Sequence, residues 1–319
     1  TGIITVNGGA QSYLKIRDQS GGGGNEVGDV TMTTDETLTL YSAVYDLDGN
    51  FLQDLSVDWS SSGNLDTITV SGVSINFIPS TSSTIGTILI TSALLISDVT
   101  GTIVVNGGAQ SYLKIRDQSG GGGSEVGDVT LTTDESLELF AAVYDADGNF
   151  LQDLSVDWTS SGDLDGVGAT GSSFTFSPST ASTSGRILIS SGSLSGDDTG
   201  TITVNGGTQS YLKIRDQSGG GGNEVGDVTL TTDETLDLYA AVYDGDDNYI
   251  QDLSVDWVSS GDLDEVSASG TSYNFSPSTA FTIGAISISS GSLTSDATGT
   301  ITVSGGAQSY LKIRDQSGG

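Results

Sequence analysis

The string "YLKIRDQSGG" begins at Tyr13, Tyr112, Tyr211 and Tyr310, each copy 99 positions after the last. A fixed period of that size constrains the architecture before any residue is weighed singly. About 100 residues can bury a hydrophobic core without help from neighbours. The chain therefore reads as self-sufficient domains in a row, not as a solenoid whose turns stack. Residues 13–111, 112–210 and 211–309 are three complete units. Residues 1–12 match the last strand of a preceding repeat, and residues 310–319 match the first strand of a following one. With no atypical capping unit in view, the expectation is a window onto a longer array.

Composition removes several function classes. The chain has no Cys and no His, which excludes disulfides, zinc fingers and an imidazole base. Against 41 acids stand 9 bases, a formal net charge of −32. All the bases but Arg186 are the Lys and Arg of the four "YLKIRD" copies. Such a surface repels phosphate backbones, so no nucleic-acid partner is expected. No apolar run approaches the roughly 18 residues of a membrane span, so no membrane insertion is expected.

Each unit alternates apolar and polar residues with period two, the pattern of half-buried strands. Leu38, Leu40 and Val44 oppose Thr39, Tyr41 and Tyr45, while Leu55, Val57 and Trp59 oppose Ser56 and Asp58. Ile75 with Phe77, Ile88 with Ile90, and Ile103 with Val105 continue the pattern, and no stretch has helical periodicity. About seven short strands per unit, separated by turn signals, predict an all-β fold of tandem immunoglobulin-like antiparallel β-sandwiches, beads on a string.

The Trp of "SVDW" (Trp59, Trp158, Trp257) falls mid-unit, where such a sandwich keeps its core Trp. The segment "AAVYDADGNFLQDLSVDWTSSGDL", starting at Ala141, resembles bacterial immunoglobulin-like repeats of invasin- and intimin-type surface proteins. Those repeats carry a strand, a D-x-x-G-N turn, a short apolar hook and a V-x-W strand. "SFTFSPSTASTSGRILISS" resembles their next two strands. The resemblance covers every complete unit and implies an extracellular or cell-surface array, without implying a ligand.

The glycine stretch "RDQSGGGGNEVGD" recurs in all three units. It lacks the G-K-[ST] and following helix of a phosphate-binding loop. It approximates a calcium-roll turn, but Glu26 replaces the Asp, Gly28 replaces the apolar position, and there is no tandem stacking. The glycines alone read as an irregular loop using positive φ. "DLDGN" at Asp46 resembles the start of an EF-hand loop, yet its Gly comes at position four and no Glu sits at twelve, so a hairpin turn is the reading.

In an immunoglobulin-like bead, that hairpin is expected at the N-terminal pole and the glycine loop at the C-terminal pole. Glu26 and Asp29 of one unit would then approach Asp145 and Asp147 of the next, and Glu125 and Asp128 would approach Asp244 and Asp246. Converging carboxylates without bases favour a hard cation, so these residues are the candidate calcium ligands at the junctions. No cofactor is required for the fold. The linker "NGGAQS" is expected to bend at Gly107 and Gly108.

Lys15 and Arg17 should face outward from an edge strand and pair with acids. An isopeptide bond from Lys15 to Asn106 is disfavoured, because Lys15 alternates outward and the third unit has Ser304 in place of that Asn. "NFS" at Asn274 is a lone glycosylation sequon followed by Pro277. Differences between units single out candidate contact residues. Leu94, Ile96 and Val99 stand where the second unit has Ser193, Ser195 and Asp198, while Val258 and Phe281 stand opposite Thr159 and Ser182. Apolar residues clustered on one bead mark a contact beyond it.

The function expected is a non-enzymatic structural or adhesive array, a stalk or fibre of a bacterial surface or matrix protein. Two other readings remain open: a filament built by lateral contacts or terminal strand exchange, and a glycan-binding module. The partners expected are other copies or further repeats, and a cell-surface or glycan target.

Overall fold

The structure, a computed structural model, describes residues 2–5 and 7–313. Part of the segments assigned to neighbouring repeats (Thr1, Val6 and residues 314–319) lies outside it.

The first unit contains eleven strand segments: β1 (Tyr13–Arg17), β2 (Val30–Thr33), β3 (Leu38–Tyr45), β4 (Phe51–Asp54), β5 (Val57–Ser61), β6 (Thr69–Gly72), β7 (Ser74–Phe77), β8 (Thr84–Gly86), β9 (Ile88–Thr91), β10 (Asp98–Val99) and β11 (Ile103–Asn106). One layer has β1 on one side of β3, with β4 and β7 on the other. In the second, β5 pairs with β6 and β9, β9 with β10, and β11 with β8 and, in parallel, with β2. Segments β8 and β9 are one strand broken at Thr87, and β10 and β11 are its antiparallel partner broken over residues 100–102. The Thr100 hydroxyl accepts the Ile88 N–H at the break. Counted as whole strands, the unit then has nine rather than the seven expected. The same order recurs from Tyr112 to Asn205 and from Tyr211 to Ser304. Each unit is an immunoglobulin-like antiparallel β-sandwich.

Each unit has its own core. In the first, Leu14, Ile16, Leu40, Val44, Val57, Trp59, Phe77, Ile88, Ile90, Ile103 and Val105 meet between the layers. The Trp59 indole N–H donates to Gly72 O at 2.9 Å, so its one polar atom is satisfied inside. Trp158 and Trp257 repeat this with Gly171 and Gly270.

The outer face of β3 departs from simple alternation. Tyr45, expected to face out, is buried. The glycine loop between β1 and β2 folds back over it: Phe51 packs under Gly22, and the Tyr45 hydroxyl reaches Gly22 O at 3.5 Å. Arg17 organises this loop, its Nε donating to Gly23 O and its Nη2 to Gly22 O and Gly24 O. Gly22 and Gly24 have positive φ, and a side chain at Gly24 would strike the Asp18 carboxylate. The repeated glycines are thus a lid on the first sheet, tied down by an arginine.

Candidate inter-repeat junction

Because the glycine loop lies on its own sheet, it does not reach the pole of the unit. Glu26 pairs with Lys15, and the Asp29 carboxylate accepts the Thr102 N–H at 2.7 Å. Glu125 and Asp128 do the same with Lys114 and the Thr201 N–H. Lys114 also stands 3.6 Å from Asp197, a carboxyl that burial pushes above its ordinary value. Lys15 is thus held in an ion pair, as expected of an edge strand. Glu26 and Asp29 are accordingly not brought to Asp145 and Asp147, nor Glu125 and Asp128 to Asp244 and Asp246. Among the described residues no group of three or more acids is placed to hold a metal ion.

What meets the next unit is the turn between β2 and β3, together with the segment ahead of β8. The hairpin of the second unit joins the strands Leu137–Tyr144 and Phe150–Asp153. Its first residue, Asp145, is fully buried, although the flanking Ala146 and Asp147 are exposed. Asp145 Oδ1 accepts from the Asp147 N–H at 3.1 Å and the Asn149 N–H at 2.8 Å, which closes the turn. Its Oδ2 accepts from the linker Gly108 N–H at 3.0 Å and from the Thr34 hydroxyl of the preceding unit at 2.9 Å. The Asn149 amide braces both oxygens. It also crosses the boundary, donating to Ser80 O at 2.9 Å and accepting the Ser82 N–H at 3.0 Å.

The second junction repeats the first. Asp244 takes the Thr133 hydroxyl at 2.8 Å and the Gly207 N–H at 2.9 Å, while Asn248 spans to Ser179 O and the Ala181 N–H. Asp35 and Asp134 of the preceding units each accept a linker N–H, from Ala109 and Thr208.

Electrostatics follow from this donor set. Burial works to raise the pKa of Asp145 and Asp244. The converging N–H and O–H donors more than reverse it, leaving Asp145 below the usual carboxylate range and Asp244 at about 2. Asp46, the equivalent residue of the first unit, is held at about 2 by the Asn50 amide and by the Gly9 and Asn50 N–H groups. A carboxylate whose oxygens all face donors is an internal acceptor. Its lone pairs are spent on hydrogen bonds from its own hairpin, the linker N–H and one hydroxyl of the preceding unit.

The linker glycines are likewise engaged. A side chain on Gly107 would strike Leu151 of the next unit, and one on Gly108 would strike the Asp35 carboxylate. The expected bend at these glycines is replaced by close packing.

Sequence reasoning singled out Asp145 and Asp244 but gave them the wrong partners. Thr34, Asp35 and Asn149 went unnoticed, although "TTDE" recurs in every unit as faithfully as the hairpin. The candidate contact residues are open to solvent: Leu94 is 95% exposed, Phe281 88% and Ile96 68%, with Val99 and Val258 about half exposed. Leu95 between them packs against the core.

The fold and the junction define a chain of tandem immunoglobulin-like sandwiches joined end to end by buried polar staples. No protein-family model matches the sequence, and no curated protein matches it. Among solved structures the chain is similar to the Escherichia coli adhesin FdeC, at 15% identity and a TM-score of 0.36, over 94% of this chain and 100% of that one. It is similar also to the FN1–FN3 domains of chicken CNTN1, at 10% identity and a TM-score of 0.32, over 92% and 97%. Extracellular domains 3–5 of Drosophila OTK give 11% identity and a TM-score of 0.30, over 92% and 99%.

Proposed function

We propose that this chain is a non-enzymatic spacer of the extracellular or cell-surface kind. It is an array that holds whatever it carries at a set distance, akin to the bacterial immunoglobulin-like repeats its sequence resembles. The carrying observation is the staple. A carboxylate buried in the hairpin of one unit takes a hydroxyl from the unit before it, and an asparagine pairs with that unit's backbone at two points. A catalytic reading has no such support. The Asp145 and Asp244 carboxylates are committed to hydrogen bonds, and an open depression at Leu188, Ile189, Gly196, Asp197 and Asp198 brings together no nucleophile and base.

The test is the length of the chain in solution. Asn149→Ala with Asn248→Ala removes the paired bonds at both junctions and leaves the cores untouched. Small-angle scattering should give a shorter maximum dimension and a broader distance distribution than wild type; the melting temperatures of the second and third units should fall modestly, since the lost amides also brace Asp145 and Asp244, which keep their N–H donors. An unchanged scattering profile would overturn the spacer reading.

A further inference from the structure

Along the flank of each sandwich, the second layer ends on a strand with a single neighbour. In the first unit that strand is β6, which pairs with β5 and stands at the edge of its sheet. An antiparallel strand turns the backbone groups of alternate residues to opposite sides. Ser62, next after β5, donates its N–H to Thr87 O, so Ser60 and Asp58 also face β9. Trp59 and Val57 therefore bond towards β6, to Val70 and Gly72. The N–H and C=O groups of Thr69 and Ser71 turn outward, and among the described residues no strand covers them. This flank lies clear of the junctions. In the second unit, which has a neighbour at both ends, the matching residues Gly168 and Thr170 are exposed as well.

The three flanks are built differently, although the units are near-copies. Residues 67–78 of the first unit read "TITVSGVSINFI", with no charge and no proline. Val70, Val73 and Ile78 are 52%, 48% and 64% exposed there. The second unit has "GVGATGSSFTFS" from Gly166, loosened by added glycines at 166 and 168. The third has "EVSASGTSYNFS" from Glu265, which sets a charge at the head of the strand. Glycine weakens a strand, and charge guards an edge against pairing with another chain. β-Branched residues with neither protection invite such pairing. The one acid of β5, Asp58, is already engaged by the Ser71 hydroxyl.

We propose that β6 of the first unit pairs antiparallel with β6 of a second copy, joining two arrays side by side through one continuous sheet. Two observations select a second copy. The free backbone groups require an extended strand, and an identical edge presents the same groups in complementary order, so the antiparallel pair is isologous. The molecule also carries a net charge of −32, so two copies approach with least repulsion where a long segment has no charge. A two-fold axis at Val70 sets Thr69 against Ser71 of the second copy, and each such pair exchanges two backbone bonds. It lays Val70 against its own copy, which takes apolar surface of both out of water. Thr67 then meets Val73 of the second copy at either end of the contact. The pairing uses up the edge of both chains, and the guarded flanks of the other two units do not extend it, so association closes at two copies. A contact on the flank leaves the end-to-end junctions as they are, so arrays of set length are held together in pairs.

Sedimentation equilibrium of the whole chain, at moderate salt to screen its charge, tests the pairing, and amide exchange locates it. The expected result is a reversible monomer–dimer equilibrium in which exchange at the Thr69 and Ser71 amides slows as the dimer fills. The Gly168 and Thr170 amides of the second unit should exchange equally fast at every concentration. Thr67→Glu gives the first unit the charge that the third carries at Glu265, and should weaken the dimer at least about tenfold at an unchanged melting temperature. Val70→Ala and Val73→Ser, matching Ala169 and Ser172 of the second unit, should each weaken it severalfold. A monomer at every concentration, a dimer indifferent to Thr67→Glu, or Thr69 and Ser71 amides that exchange as fast in the dimer as in the monomer would each overturn the proposal. Growth beyond two copies would overturn it as well. If the chain stays monomeric and those amides slow only when a synthetic extended peptide of Thr and Val is added, the edge takes a foreign strand and self-pairing is refuted. None of these results touches the spacer reading, which rests on the junctions.

Discussion

Thr34→Val tests the junction at a single atom. The two side chains have nearly the same shape, so the change removes little beyond the hydroxyl that donates to Asp145 Oδ2 at 2.9 Å. A hydrogen bond to a charged acceptor contributes about 1.5–3 kcal/mol. Asp145 Oδ2 keeps the Gly108 N–H and the Asn149 amide, which places the expected loss in the lower half of that range. At 1.4 kcal/mol per decade, the opened junction becomes roughly 10- to 40-fold more populated. The Ser82 N–H is the reporter, because it donates across the same boundary to Asn149 Oδ1 and exchanges with solvent when the junction opens. Hydrogen exchange should therefore quicken at Ser82 by that factor, while amides of β3 in the core stay as slow as before. The third unit supplies the control. The Thr232 hydroxyl accepts from Gly306, so Thr232→Val should leave the Ala280 amide unchanged. Equal Ser82 exchange in wild type and Thr34→Val, or equal damage from Thr232→Val, would refute the staple.

Three further outcomes follow from the same geometry. Trp158→Ala empties the centre of the second core and removes the indole bond to Gly171 O, costing about 3–5 kcal/mol; the calorimetric melting temperature of that unit should fall by at least about 12 °C. Phe150→Tyr should stabilise the second unit by about 1 kcal/mol in a denaturant titration, because Asp153 Oδ1 is buried without a partner, whereas in the third unit the Tyr249 hydroxyl donates to Asp252 Oδ1 at 3.1 Å. Acid should loosen the junctions only late. Donors depress Asp145, and they hold Asp244 at about 2, below the unfolded value of about 3.9, so the staple's contribution is complete above about pH 4 and is lost as pH falls through about 2. Scattering should give the same maximum dimension at pH 7 and pH 4, and a shorter one near pH 2.

The parts of this structure legible in the sequence are those set by local pattern. Period-two alternation placed Trp59, Val57, Ile88 and Ile90 on inner faces, and the "DADGN" turn identified a hairpin whose acid matters. The errors have one source. Tyr45 looked solvent-facing because nothing local shows that twelve residues after Arg17 fold back onto it. The same excursion keeps Glu26 and Asp29 away from the pole and leaves it to Thr34 and Asp35. Which loop reaches an end depends on β1 and β2 joining different layers, a long-range choice made when β2 pairs in parallel with β11. An arginine followed by four glycines was the available clue, since a guanidinium presents several donors and a loop of bare carbonyls can close around it.

The staple also explains how a buried charge can serve a contact between domains without a large penalty. Burying a carboxylate at a new interface is unfavourable unless donors replace its water. Asp46 shows that this requirement is met by the hairpin and its linker alone. At the exposed face of the first unit it is already buried, and it is satisfied by the Asp48, Asn50 and Gly9 N–H groups and the Asn50 amide. The hairpin thus buries its own charge as part of folding its unit. Docking adds one hydroxyl to a lone pair that already faces out, and turns an asparagine that already holds the acid towards two backbone atoms of the neighbour. Little desolvation remains to oppose the joint, and opening it leaves no charge stranded. A pull along the array should therefore part the junctions, one Asp–Thr bond and one Asn pair at a time, well before it breaches a sandwich whose β1 and β3 are bonded along five residue pairs. Force spectroscopy should register small reversible extensions at low load ahead of the larger unfolding steps, and their absence in wild type would mean that the units are joined by more than these groups.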